Sequence, residues 1–360
     1  MLFRRHLNDM LLAYVEGKDK RTEPLDLNTK EIILNTEDGV LCVKDKITED
    51  YLTYMKKEDG LYWLIDKNHY KGEKLFIVPI GGGLGNQIIQ YAFYLYLKQL
   101  GVDAHFDKCL FEGLTSDRIL YLRSYALNWS DCASSLQSII CKYVNYENQM
   151  EAMKTPIPSV FNRRYAGYWQ QWKYLGRVTN TLRKDVVLTK EAYESFNQDT
   201  KDWLKTISEQ DNSISIHVRR GDYVKLQHTY VNLTPEWYVE AVKKMIDKTP
   251  ELSSGREFYI FSDDWKWCER EVVNKIRATV GPNDSVFLVE FNVEKDAVAD
   301  FELMRRCKHH IIANSSFSWM ASLLCDNKDK VVIGPRKWHN TKDVVFNFGM
   351  DTRNLILFDK

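Results

Sequence analysis

Across residues 213–333, short apolar runs alternate with segments of helical length, and this alternation confines the chain to a small set of folds. Residues 213–218, 257–261, 286–289, 310–313 and 331–333 read as strands, the last closing the series. Thr234-Pro235 opens a helix reaching about residue 246, with proline at the first helical position. Asp263-Asp264 caps a helix over 265–276, and Asp300 caps one ending near Cys307. Ser315 or Ser316 caps a helix over 317–325. Apolar strands separated by helices predict an α/β fold with a parallel sheet covered on both faces. Such sheets take ligands at the carboxyl ends of their strands, and suggestive motifs follow Val218, Phe261 and Ala313.

A second strand and helix lie upstream. The apolar run 75–80 leads into Gly81-Gly-Gly-Leu-Gly-Asn-Gln87, then a helical stretch to Leu100 with Gly101 as its stop. The loop lacks the Gly-Lys-Ser/Thr of a Walker site and fails the dinucleotide fingerprint at its third glycine. As a tight turn it needs no ligand. Read functionally, Gly83, Gly85, Asn86 and Gln87 offer backbone N–H groups and two amides suited to a sugar or phosphate. Residues 1–74 are polar, with strand-like pieces at 31–34, 40–44 and 61–65. They read as an accessory region. Residues 102–210 parse less clearly and carry the aromatic cluster 167–174.

The 360 residues carry 50 basic and 50 acidic side chains, so no bulk field draws nucleic acid and any anionic ligand needs local charge. No apolar run is long enough to span a bilayer, and no signal peptide is read at the start. Seven cysteines, none in a C-x-x-C pair, predict reduced thiols of a cytosol. The sequons at Asn128, Asn232 and Asn314 read as coincidental.

Local charge is concentrated in His217-Val-Arg-Arg-Gly-Asp222. Strand alternation sends His217 and Arg219 to one side, and the loop presents Arg220 and Asp222. Arginine's rigid fork matches two phosphate oxygens, so an arginine pair at a strand end suits a diphosphate. An Arg–Asp ion pair is the plainer reading and is compatible with it. His217 is a ligand contact or a hydrogen-bonded core histidine. Asp263 and Asp264 are adjacent, without further ligands nearby, which fits a cap plus one ligand bond better than a metal. Asn314, Ser315, Ser316 and Phe317 open a helix whose positive end is a second place for phosphate oxygens, though capping alone explains a serine there. His309-His310 reads as strand packing.

Five segments in order resemble glycosyltransferase family 11, the alpha-1,2-fucosyltransferases. They are Gly82-Gly-Leu-Gly-Asn-Gln-Ile-Ile-Gln-Tyr-Ala92, His217-Val-Arg-Arg-Gly-Asp-Tyr223, Phe261-Ser-Asp-Asp264, 307–319 and 331–338. Gly167-Tyr-Trp-Gln170 is similar to an acceptor-side segment, which adds Tyr168 and Gln170 to the candidate contacts. Ile88-Ile89 and Met320 depart from the family's usual residues and read as packing changes. The resemblance implies a GT-B-like fold, with two Rossmann-like domains facing a cleft. The expected division is an accessory region over 1–74, an acceptor-side domain over 75–210 and a GDP-fucose-binding domain over 211–360.

The implied reaction moves L-fucose with inversion from GDP-fucose to the 2-hydroxyl of a galactoside, with no metal or cofactor. By resemblance, Arg219 contacts the diphosphate, Asn86 and Gln87 approach the donor, and Asp263 with the Ser315-Ser316 turn holds the nucleotide. Asp222 is the candidate base, with His228 as runner-up; Asp222 as an ion-pair partner is the competing reading. Another linkage, or a non-catalytic GDP-sugar or glycan-binding protein, is the alternative function. The expected place is the cytoplasm, either free or peripheral to a membrane where lipid-linked glycans are built.

Overall fold

The computed structural model describes residues 28–35, 40–48, 50–56, 62–69, 76–108, 119–130, 142–144, 163–165, 167–292, 294–340 and 355–359. The chain divides into two compact units, residues 1–82, 93–120 and 128–169 against residues 83–92, 121–127 and 170–360.

The first unit holds two sheets. Strands β1 (Lys30–Asn35), β2 (Val40–Asp45), β3 (Asp50–Lys56) and β4 (Tyr62–His69) form an antiparallel meander in sequence order. Leu41, Val43, Leu52 and Tyr54 are its buried cluster, two alternating pairs on facing strands. The reading of the sequence missed β3, where Tyr and Thr alternate with Leu and Tyr between charged turns. Strands β5 (Phe76–Pro79), β6 (Ala104–Asp107), β7 (Lys142–Val144) and β8 (Arg163–Tyr165) make a parallel sheet in the order β6-β5-β8-β7. After β5 the glycine loop leads into the helix Leu84–Gln99, stopped by Gly101 at φ +75°. Phe93, from the later half of that helix, stacks on Trp169 with centroids 3.8 Å apart.

The second unit is built on six parallel strands. These are β9 (Ser213–Val218), β10 (Glu257–Ser262), β11 (Ser285–Leu288), β12 (His309–Ile311), β13 (Val332–Pro335) and β14 (Leu355–Phe358). Their order is β11-β10-β9-β12-β13-β14, the doubly wound pattern that runs outward from β9 and then reverses at β12. The α/β expectation with a parallel sheet holds. The series does not close at β13, however, because the apolar run at 355–358 pairs beside it.

Alternation along β9 sorts the two faces. Ile214, Ile216 and Val218 pack with Trp237, Tyr238, Ala241, Val242 and Met245 of the helix Pro235–Lys248 and with the helical stretch 265–277. Ser215 and His217 face the other way and are hydrogen-bonded there, to His310 Nδ1 (2.8 Å) and by Nδ1 to Ser318 Oγ (2.9 Å). The helix Ser316–Leu324 on that side has two arginines at its carboxyl end. Arg183 donates to the Leu323 carbonyl at 2.8 Å and Arg305 to the Leu324 carbonyl at 3.2 Å. Cations there satisfy orphan carbonyls and favour the helix dipole.

Those bonds also move the expected boundary at residue 210. The helix Trp172–Asp185, which supplies Arg183, and the helix Gln198–Glu209 belong with the six-stranded unit. Asp300 is likewise not a cap. The helix begins at Ala297, and Asp300 lies in its first turn, accepting from Asn292 Nδ2 at 2.7 Å. Asn292 in turn accepts from Asn197 (3.1 Å) and Thr200 (3.0 Å).

Burial pushes the Asp300 carboxyl up to about 7, with Asp296 adding to the shift and the Asn292 bond opposing it. The folded chain therefore keeps this proton to higher pH than the unfolded chain, and stability falls as pH rises from about 4 through about 7. In Asp300→Asn this contribution is absent. Urea unfolding midpoints measured from pH 5 to 8 should decline more steeply in the wild type than in the variant.

Candidate active site

The strand order reverses between β9 and β12, and the carboxyl ends of the strands at such a reversal are the place where open α/β sheets bind ligands. Both arginines that leave β9 are fixed there by carboxylates. Arg219 donates from Nη1 to Asp263 Oδ2 at 2.5 Å and from Nη2 to Asp222 Oδ1 at 2.6 Å. Asp263 also accepts the Arg220 backbone N–H at 2.9 Å, which binds the end of β10 to the end of β9. Gly221 makes this approach possible: a Cβ there would lie 2.5 Å from Asp263 Oδ2.

The two arginines have different situations. Arg220 pairs with Asp264 at 3.2 Å and lies 3.8 Å over the Trp267 ring, while Asp264 caps the following helix through the Trp267 N–H. That is a structural brace. Arg219 stays nearer solvent. Burial opposes its charge, but Asp263 and then Asp222 outweigh it and hold the guanidinium more firmly protonated than usual. Two arginines face three aspartates, so the local charge is slightly negative rather than the positive pair that the sequence suggests.

Motifs far apart in the chain converge on the helix Ser316–Leu324. Ser315 is its cap, accepting from the Phe317 N–H at 3.3 Å. The backbone of Gly85 lies against this start, because a Cβ on it would fall 2.5 Å from the Phe317 nitrogen. Gly83 is exposed, with open space where a Cβ would be. Asn86 accepts from Gln170 Nε2 at 2.9 Å. Gly83, Gly85, Asn86, Gln170, Ser315, Ser316 and Phe317 thus gather around one helix end and one loop.

Other expected contacts are turned inward. Gln87 is fully buried on the same helical stripe as Leu84 and Tyr91, and its Oε1 accepts from the Leu122 N–H at 3.3 Å. It holds the segment 121–127 through this bond. Burial, with the Arg219 charge adding, pushes His217 down to about 3, so it is a neutral core histidine. Asn314 is 1% exposed and gives its amide to the Val231 (2.8 Å) and Trp338 (3.0 Å) carbonyls. Both bonds of that amide are made within the chain. His228 is exposed in the turn that follows the helix Gly221–Lys225. Tyr168 is 47% exposed and belongs to the first unit.

Two further residues shape the site. Trp267 carries no motif signal at all. Tyr223 closes the arginine motif, and its hydroxyl donates to the Asn314 carbonyl at 3.1 Å. Ile88, Ile89 and Met320 are fully buried, as packing positions should be. Among the described residues no group of three His, Cys, Asp or Glu side chains is placed to hold a metal ion. No helix among them is long and apolar enough to cross a membrane.

The profile of glycosyl transferase family 11 matches residues 52–345, and the chain belongs to that family. It is therefore a glycosyltransferase. An alpha-1,2-colitosyltransferase of Escherichia coli is 25% identical over 291 residues, covering 75% of this chain and 94% of that protein. The O-antigen biosynthesis glycosyltransferase WbnK, also of Escherichia coli, is 26% identical and covers 72% and 93%. The galactoside alpha-(1,2)-fucosyltransferase 2 of Rattus norvegicus is 25% identical, covering 72% and 70%.

The contact at Gly85 is backbone against backbone, so no side chain can swing aside to admit a methyl group. Gly85→Ala should cost about 1–3 kcal/mol, in the range of overpacked interiors. At roughly 2–4 °C per kcal/mol for a unit of this size, thermal melting should show a clear drop. Gly83→Ala, with open space, should leave the melting midpoint near the wild-type value.

Proposed function

We propose that this glycosyltransferase moves L-fucose, with inversion, from GDP-fucose to the 2-hydroxyl of a galactose-terminated glycan, in the cytoplasm and without a metal or cofactor. The observation that carries the reading is Arg219, a rigid cationic fork at the strand-order reversal, opposite a capped helix start. Membership of family 11 and the names of the relatives support the sugar and the linkage. The colitosyltransferase relative favours one second reading, a different deoxy sugar on the same kind of donor.

A single displacement asks for charge stabilisation on one side of the fucose and a proton acceptor on the other. As the anomeric carbon loses the diphosphate, negative charge grows on the leaving oxygens, and fixed donors aimed there lower the barrier most. Arg219 and the Ser315-Ser316 helix start fill that role. For Arg219 to receive phosphate, one carboxylate has to leave its fork. Asp222 is the one that leaves: its side chain is 59% exposed, against 26% for Asp263, and an exposed pair holds weakly. Asp263 keeps both its bonds and holds the guanidinium in place. Once released, the Asp222 side chain, three residues from the phosphate-binding fork, serves as the base. His228, exposed in the turn after the helix that carries Asp222, is the runner-up; Asn86 approaches the donor, and Gln170, bonded to it, serves the acceptor.

The test is transfer from GDP-fucose to a panel of galactosides, with the linkage of the product determined and a colitosyl donor run in parallel. Arg219→Ala should lower the rate by at least ~10² while the fold persists, and Arg219→Lys should restore little. Asp222→Asn should lower kcat by ~10²–10⁴ with GDP affinity held or improved. If affinity instead falls in step with rate, Asp222 is an ion-pair partner only. Activity should survive EDTA, and a strict need for manganese or magnesium would overturn the metal-free reading. Tight GDP binding with no turnover on any galactoside would leave a binding protein.

A further inference from the structure

On the β12 side, the turn that carries Arg219 is tied down by Tyr223. Tyr223 reaches from the short helix Gly221–Lys225 after β9 to the end of β12, spanning the strand-order reversal. Its hydroxyl donates to the Asn314 carbonyl at 3.1 Å. One neighbour of its ring is the Arg219 guanidinium, 5.1 Å from the centroid and within cation–π range. Another is Tyr230, stacked with centroids 4.2 Å apart and planes 9° from parallel. Tyr230 continues to His339 at 5.0 Å, and Asn340 ties that segment back through the Gln227 carbonyl at 2.7 Å. The Tyr223 carbonyl accepts from Asn232 at 3.1 Å.

Each of these contacts fixes the loop, but they act on different parts of it. Asp263 sets where the Nη1 edge of Arg219 points. Tyr223 sets how far the guanidinium stands from the end of β12, and so from the helix start that begins three residues after Ala313. We propose that Tyr223 is a positioning residue for the donor diphosphate: its hydroxyl on Asn314 and its ring against Arg219 hold that arginine at a fixed place at the strand-order reversal. Burial raises the phenol above its ordinary value, so it remains a donor across the working pH range. A tyrosine suits this place because a phenylalanine keeps the stack and loses the tether. This role rests on the reading that Arg219 receives the diphosphate, and it adds the residue that aims it.

The experiment is a double-mutant cycle on GDP binding, read by titration calorimetry on the full chain, with thermal melting in parallel. Tyr223→Phe should weaken GDP binding by about 3–10-fold, the range of one lost hydrogen bond, with little change in melting midpoint. In an Arg219→Lys background the same substitution should change affinity by less than about twofold, because the fork being aimed is already gone. Tyr230→Leu, which removes the stack from the far side, should show the same dependence on Arg219. Equal fold losses in both backgrounds, or a loss of melting midpoint without a loss of affinity, would make Tyr223 a structural residue only and overturn the proposal. A wild-type chain that binds no GDP would instead overturn the donor reading, and this proposal with it.

Discussion

A guanidinium shared between two carboxylates, at the point where the strand order reverses, is the interaction on which the rest of this site depends. Arg219 leaves a fully buried strand with a charge that burial disfavours, so its position has to be secured by partners. Asp263 supplies one from the adjacent strand end, and through the Arg220 N–H it also fixes the turn itself. Gly221 is then needed because the carboxylate lies where a Cβ would be. The strand ends, the glycine and the aspartate form one unit of geometry.

The same logic explains why so many polar residues near the site are not available to a ligand. A site built from loop backbone has carbonyl and amide groups that need partners, and side chains with good donors are used to satisfy them. Asn314 serves two carbonyls, Gln87 an amide and His217 a serine hydroxyl. Among the described residues, groups that stay at least partly open to solvent include the Arg219 fork, Asp222, His228, the helix start at Ser316 and the Asn86–Gln170 pair. The two arginines at the far end of the Ser316–Leu324 helix satisfy its last carbonyls.

Much of the six-stranded unit was legible because most of its strands are short apolar runs with recognisable caps after them. Thr234 caps its helix, as the Thr-Pro pair announces, and the strand at 213–218 lies where the pattern puts it. The antiparallel β3 escaped because its alternation of Tyr, Thr and Met with Leu and Tyr has no apolar run to mark it. Asp300 looked like a cap because an acidic residue before an apolar turn is the usual sign, yet the helix begins three residues earlier. Its neighbours Asn292, Asn197 and Thr200 come from elements that only folding brings together.

The sequence by itself determined the alternating α/β order, the strand ends where chemistry sits and the family to which the motifs belong. Those are local or linear properties, set by periodicity, capping and the order of short signatures. Which of the signature residues face a ligand was decided only in three dimensions. Gln87 and Asn86 are neighbours in the chain, but a step of about 100° around a helix buries the first and leaves the second to bond Gln170. Arg219 and Arg220 are equally charged, but Trp267 and Asp264 brace only the second, and Asp222 and Asp263 convert an apparent positive pair into a nearly balanced cluster. Burial and pairing are properties of the surroundings, and those surroundings come from residues far apart in the chain.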